Sequence, residues 1–249
     1  MRSSSLISVT PLLPVALLVL VAAGALVALL GGLGHGRAVV TACLRAALQL
    51  GVVSAVITWV IEVGVAVAGF ILVMYGVAAY TAGRRVTRSA RSAWWAGVPI
   101  AAGAAPVLAV LTVSGTVSTD GIVIIPVAGI LLGGCLTATA LSGRRALDEL
   151  AQRRGEVEAA LALGFMPRAA ALEICRPAAA QALVPALDQT RTVGLVTLPG
   201  AFVGMLLGGA SPIQAGVVQL VVLVALLAAE AATILVTVEL VVRGRFGTA

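Results

Sequence analysis

The sequence predicts an all-α polytopic membrane protein with about seven transmembrane helices and one polar hairpin between spans five and six. Three observations carry the class: apolar runs of about 20 residues recur, long enough to cross ~30 Å of hydrocarbon as helix, and most arginines lie in segments between them. The third is a polar stretch from Gly143 to Gln189, which has to leave the bilayer for water. Hydrophobic residues make up 61% of the chain, charged residues 10%, and mean hydropathy is +1.14. That leaves too little polar surface to cover a soluble globule. The alternation expected of barrel strands is absent.

The spans follow in order. Pro11 to Leu30 is longer than a signal-peptide core of about 7 to 15 residues, so it reads as a retained helix. Ala38 to Val60, Val63 to Ala82, Ala96 to Gly115 and Gly121 to Leu141 come next, and Thr192 to Gly208 and Ile213 to Val242 complete seven. Residues 1–249 then form one transmembrane domain from which 143–189 projects. Trp59, Trp94 and Trp95 fall at span ends, where an indole keeps its ring in the boundary and its N–H wet. Arg84, Arg85, Arg88 and Arg91 fill one loop. Arg144, Arg145, Arg153, Arg154, Arg168, Arg176 and Arg191 lie in or beside the polar stretch, and Arg243 and Arg245 end the chain. All three segments should be cytoplasmic. Seven crossings then put the N-terminus outside and the C-terminus inside, with Arg37 inside and Arg2 a minor violation.

Composition also excludes classes of activity. The net charge of +6 comes from arginine alone, since the chain has no Lys. A phosphate-binding loop needs G-x-x-x-x-G-K-[ST], so ATP hydrolysis by that route is excluded. No aromatic-rich basic module accompanies the arginines, and nucleic acid is not an expected partner. Cys43, Cys135 and Cys175 form no C-x-x-C pair and no disulfide framework. His35 is the only His and sits in a glycine-rich turn. Neither H-E-x-x-H nor G-x-S-x-G is present, so no catalytic residue is assigned and a metal site stays unknown.

Inside the polar stretch, Arg145 to Leu163 has helical periodicity, with Leu147, Leu150, Val157 and Leu161 on one stripe. Gly164 can supply the left-handed residue that ends a helix. Pro167 suits the first turn of the next, where its missing N–H would have been unpaired anyway. Helix, sharp turn and short helix should therefore stand off the membrane, with Pro177 and Pro185 breaking the return path. Glu158, Ala159 and Ala160, then Gly164, Ile174 and Pro177, have the spacing E-A-A-x3-G-x9-I-x-L-P, with Arg176 at the Leu position. This resembles the EAA loop of ABC-transporter membrane subunits. A transporter driven by a separate ATPase needs a rigid lever that fits a groove on that ATPase. Ala159 and Ala160 permit close approach, Gly164 permits the turn, and Arg168 offers a charge to the partner. An ordinary amphipathic hairpin is the alternative.

Thr192, Gly194 and Pro199 lead into Gly200, Gly204 and Gly208, which share one helix face and allow close packing. Pro199 invites a kink. A kinked, glycine-faced helix reads as a moving gate or as plain tight packing. Arg45 and Gln49 share a face of the second span, and Glu230 is a carboxylate near the middle of an apolar helix, which is costly unless it faces a cavity or a partner. These three are candidate pathway residues; a structural hydrogen bond is the alternative for Glu230. Glu239, nearer the helix end, is easily wetted.

Several blocks together resemble the FetB-type ABC permeases, described as iron exporters, with plant relatives linked to aluminium tolerance. They are Arg45-Ala46-Ala47-Leu48-Gln49-Leu50, Ile125-Pro126-Val127-Ala128-Gly129, Leu161-Ala162-Leu163-Gly164 with Pro167, and Pro185-Ala186-Leu187-Asp188 running into Thr192 to Gly200. The resemblance covers nearly the whole chain. It implies a permease subunit in the cell inner (plasma) membrane, probed by lipid on its flanks, that pairs with a separate ATP-binding subunit, two copies of each. ATP and Mg would sit on the partner, with no cofactor in this chain. Export of iron or another metal or small solute is the implied function. An importer permease, or a non-transporting membrane scaffold, is the alternative.

Overall fold

The computed structural model describes residues 12–87 and 89–247. Arg2, Arg88 and the expected first-span start at Pro11 lie outside them. The chain divides into two compact units, Met1–Glu62 and Val63–Ala249.

The first unit is a helical hairpin of α1 (Leu12–Leu30) and α2 (Gly36–Glu62). Glycines end α1 because its last carbonyls need partners: Gly32, at φ +68°, donates to the Leu29 carbonyl at 3.2 Å and Leu33 donates to Ala28 at 3.0 Å. Both helices are largely exposed and apolar, as lipid-facing helices are.

The second unit comprises α3 (Gly64–Val86), α4 (Ala90–Ala93), α5 (Gly97–Val113, entered through a 3-10 turn at Trp94–Ala96), α6 (Gly121–Gln152), α7 (Arg154–Ala162), α8 (Pro167–Ala180), α9 (Val184–Thr192), α10 (Gly200–Leu207) and α11 (Pro212–Val242). Among the described residues it contains no named strand. Helix α11 packs along α6 and α5, and α3 packs along α6. Ile100, Leu131, Cys135, Ala229 and Val238 fill the shared core. The start of α11 is specified locally: Ser211 accepts from the Gln214 amide at 3.3 Å, Gln214 Oε1 accepts from the Ser211 amide at 3.0 Å, and Pro212 occupies the first turn.

Among the described residues six helices are long and apolar enough to cross a membrane: Leu12–Leu30, Gly36–Glu62, Gly64–Val86, Trp94–Val113, Gly121–Gln152 and Pro212–Val242. The sixth expected span, Thr192 to Gly208, is not a continuous helix. Its residues are the last of α9, a non-helical turn over 193–199, and the 8-residue α10, whose rise of ~12 Å cannot cross a bilayer. The cause is local. Gly194 sits at φ +82° and donates to the Thr197 carbonyl at 2.8 Å, and Pro199 caps α10 in an extended conformation instead of kinking a longer helix. A second correction concerns the expected helix Arg145 to Leu163. Helix α6 runs unbroken to Gln152, and the chain breaks at Arg153 (φ −107°, ψ 31°) before α7 begins at Arg154.

Helices α5 and α11 meet at a glycine. A Cβ on Gly103 would stand 2.1 Å from Thr233 Oγ1 and 2.4 Å from the Ala229 carbonyl oxygen. At this contact the buried Thr233 hydroxyl donates to the Pro99 carbonyl at 3.2 Å. Gly103→Ala is therefore expected to destabilise by about 1–3 kcal/mol through overpacking. Gly76→Ala, where a Cβ meets nothing within 4 Å, should not. Unfolding of the detergent-solubilised variants measures the difference, and equal stability of the two would contradict the contact.

Candidate functional site

The polar hairpin is built by its turn. Helix α7 ends with Gly164 at φ +91°; the Gly164 amide donates to the Leu161 carbonyl at 2.9 Å and the Phe165 amide to Ala160 at 3.1 Å. These two bonds close the helix end and require the left-handed residue that glycine supplies. Met166 is extended, and Pro167 opens α8. The turn between the helices presents Leu163, Phe165 and Met166, exposed by 80%, 49% and 73%. Three exposed apolar side chains thus sit together at the tip of a polar element.

The two helices differ in what they bury. No residue of α7 is buried; Ala159 is exposed and Ala160 half-buried. Glu158 faces water and accepts from Arg154 Nε at 3.0 Å. Helix α8 buries Ala170, Leu172, Ile174, Cys175 and Ala179 against α6 and α11. At the hairpin's root Arg153 donates to Glu149 at 3.1 Å and through Nε to Glu156 at 2.6 Å, clamping the end of α6 to the start of α7. These bonds hold the Glu156 carboxyl below its ordinary range and the Arg153 guanidinium above its own. Burial pushes the Cys175 thiol up, which leaves it unreactive.

Arg168, expected to offer its charge to a partner, is engaged within the chain. Its Nε donates to Glu239 Oε1 at 2.9 Å and its Nη2 to Oε2 at 2.7 Å, joining α8 to the end of α11. Arg243 Nε donates to the same Oε1 at 2.7 Å. The hydrogen bonds with Glu239 raise the Arg168 guanidinium above its ordinary value.

Past α8 the chain continues through a 3-10 turn at Gln181–Leu183, between Pro177 and Pro185, into α9. In the turn over 193–199, Leu195, Val196 and Leu198 are exposed by 91%, 79% and 61%. A Cβ on Gly200 or Gly204 would meet nothing within 4 Å, so the glycine face has no close neighbour within this chain; Gly208 caps α10. Thr192 Oγ1 donates to the Asp188 carbonyl at 2.8 Å. A cavity of about 340 Å³ beside this turn is lined by Gly194, Pro199, Phe202 and Gln219, and Gln219 Oε1 is buried without a hydrogen-bond partner.

Arg45 and Gln49 lie on exposed turns of α2, in the first unit. Glu230 lies in the second, buried where α11 meets α6, with its Oε1 2.7 Å from where a Cβ on Gly134 would stand. Gly134 thus makes the room that the carboxyl occupies. Among the described residues no group of three His, Cys, Asp or Glu side chains could hold a metal ion.

Two relations escaped sequence reasoning. Glu239 reads as a merely wetted helix end, because a pairing across 71 residues leaves no local signal. The tip residues had one: Leu163, Phe165 and Met166 are apolar within a polar stretch.

A profile of the uncharacterised protein family UPF0014 matches residues 12–246. The chain belongs to UPF0014. Among UPF0014 relatives, the rice membrane protein STAR2 (Oryza sativa subsp. japonica) is 36% identical over 221 residues, covering 87% of this chain and 77% of its own. ALUMINUM SENSITIVE 3 of Arabidopsis thaliana is 40% identical over 152 residues, 61% of this chain and 56% of its own. An Escherichia coli K12 protein named probable iron export permease protein FetB is 29% identical over 201 residues, 80% of this chain and 78% of its own. No solved structure matches. This UPF0014 chain is therefore an all-helical, multi-pass membrane protein whose relatives include a named permease.

Replacing Gly164 with Val forces a branched side chain into a left-handed conformation, at a cost of about 1–2 kcal/mol. Amide exchange at Gly164 and Phe165 should accelerate about tenfold. Unchanged exchange there would contradict the glycine-dependent helix end.

Proposed function

We propose that this chain is the permease subunit of an ATP-driven ABC transporter, energised by a separate ATP-binding subunit that docks on the α7–α8 hairpin. One observation carries the reading: a hairpin with an exposed apolar tip and a glycine-fixed turn is tied by Arg168 and Glu239 to the end of a membrane-spanning helix. A lever so built transmits a push at Leu163, Phe165 and Met166 into α11. Glu158, Ala159 and Ala160 lie on the flank of the same lever, within reach of a bound partner. ATP and Mg belong to the partner, because this chain has no Lys for a phosphate-binding loop.

The Val193–Pro199 turn supports both a gate and a second permease copy. Arg168 touches one end of α11, while Ser211 caps the other, ~40 Å away along the helix. The chain from α8 to Ser211 therefore returns across the membrane in pieces, as α9, turn and α10. Irregular backbone at membrane depth is tolerated only where protein covers it or water fills it, and in one chain the turn is exposed. A homodimer that buries the turn and the open glycine face of α10 satisfies that requirement. Counting this interrupted segment gives seven crossings, with the N-terminus outside and the arginine-rich C-terminus in the cytoplasm of a cell whose inner membrane houses the protein. Export, with iron or another metal as cargo, follows the name of the Escherichia coli relative. Arg45, Gln49 and Glu230 belong to this reading as pathway residues.

The test is reconstitution. The chain is co-expressed with its ATP-binding subunit and placed in vesicles, and ATP-dependent iron flux is recorded. Wild-type protein should transport without an external binding protein. Phe165→Asp should weaken subunit association about thirtyfold, as loss of an aromatic anchor does, and Glu230→Gln should lower flux while the complex still forms. Hairpin-dependent association without any flux would favour a scaffold, and a need for an external binding protein would favour an importer. Full association and flux in Phe165→Asp would overturn the docking assignment.

A further inference from the structure

A second cavity, of about 640 Å³, opens between α8, α11 and the first turn of α5, beside the Arg168–Glu239 pair that anchors the hairpin. Its walls are of two kinds. Leu172, Ile234 and Val238 are buried apolar walls joined by the exposed Leu235, and Arg168, Arg176, Arg243 and Glu239 supply the charged side of the lining. Glu239 is shared by Arg168 and Arg243. Arg176 is exposed, and among the described residues it has no ion-pair or hydrogen-bond partner. Three guanidinium groups against one carboxylate leave two positive charges unmatched.

The depth of the cavity follows from its neighbours. Val98 lines it, directly after the Trp94–Trp95 pair that opens the fourth apolar span, and the Arg245 guanidinium stacks over the Trp95 ring at 4.7 Å from its centroid. Indole rings and stacked arginine at the end of a span mark the headgroup layer. Apolar walls beside an unmatched basic side at that depth match a molecule with an acyl chain and an anionic head. Basic pockets between spanning helices at this level take anionic lipid head groups.

We infer that the α8–α11 cavity is a binding site for one anionic phospholipid of the adjacent leaflet. Its phosphate lies between Arg176 and Arg243, and its acyl chain lies over Leu172, Ile234 and Leu235. A phosphate placed there accepts from Arg243 without displacing Glu239 from Arg168, because Arg243 gives Glu239 only its Nε and retains two terminal nitrogens. The occupant is lipid rather than a soluble anion because most of the surface to be covered is hydrocarbon.

The experiment needs neither ATP nor the partner subunit, so its failure is distinguishable from failure of the transporter reading. The full chain is purified in mild detergent, exposed to equal amounts of phosphatidylglycerol and phosphatidylcholine, and weighed by native mass spectrometry. Wild-type protein should retain phosphatidylglycerol in preference. Arg176→Gln and Arg243→Gln should each reduce that retention about fivefold, the worth of one basic contact at an anionic surface, and Arg176→Lys should restore it. Free inorganic phosphate should not compete. Equal retention of the two lipids, phosphatidylglycerol retained by the double Gln variant, displacement by phosphate alone, or a cavity protected by a second copy of the chain would each overturn the assignment.

Discussion

The pairing of Arg168 with Glu239 is the contact on which the second unit's mechanics depend. The other ion pairs described join residues three or four apart on local helix turns, as Arg153 with Glu149 and Arg154 with Glu158 do. Arg168 instead reaches α11 from α8 with two parallel hydrogen bonds. An exposed ion pair contributes little to stability, but a two-point guanidinium–carboxylate contact fixes orientation. The apolar side of α8 supplies the attachment to α6 and α11, and the ion pair sets its angle.

The bilayer imposes the complementary constraint. Helices α6 and α11, with 32 and 31 residues, extend ~48 and ~46 Å, well beyond ~30 Å of hydrocarbon. Both helices pack against α8, α6 leading into the hairpin and the last turns of α11 carrying Glu239. Between them lies a seam of buried polar side chains: Thr139, Ser142, Glu230, Thr233 and Thr237. Ser142 donates to Ala138 at 2.6 Å and Thr237 to Thr233 at 2.8 Å, so these hydroxyls satisfy themselves on their own helices. The buried Thr139 hydroxyl has no hydrogen-bond partner, and Thr233 links α11 to α5. A shift of α11 would therefore be felt at the entry to α5 as well as along α6.

Local features were legible in the sequence, and distant ones were not. The α-helical membrane class, the six long apolar helices, the glycine that ends α7 and the proline that starts α8 all follow from composition, periodicity and cap chemistry within a few residues. The sixth expected span is not one helix because apolar content over Thr192–Gly208 does not set length: Gly194 and Pro199 divide it into pieces too short to cross. Hydropathy falls at Ser142, but nothing there breaks helix α6 before Arg153. The Glu239 partner, the fit of Glu230 against Gly134, and the arginine-lined cavity arise from residues brought together by packing α8, α6, α11 and α5, and no local pattern encodes them. Positions within the interrupted segment, including Gly200 and Gly204, gain meaning only with a second surface to cover them.

The most direct measurement is the ratio of solute moved to ATP hydrolysed in vesicles containing the complex, compared across a charge exchange at the hairpin's anchor. Arg168→Glu and Glu239→Arg should each leave hydrolysis running while the ratio falls, and the double exchange should recover most of it. If both single variants keep the wild-type ratio, the hairpin does not drive α11 through this contact and the account fails.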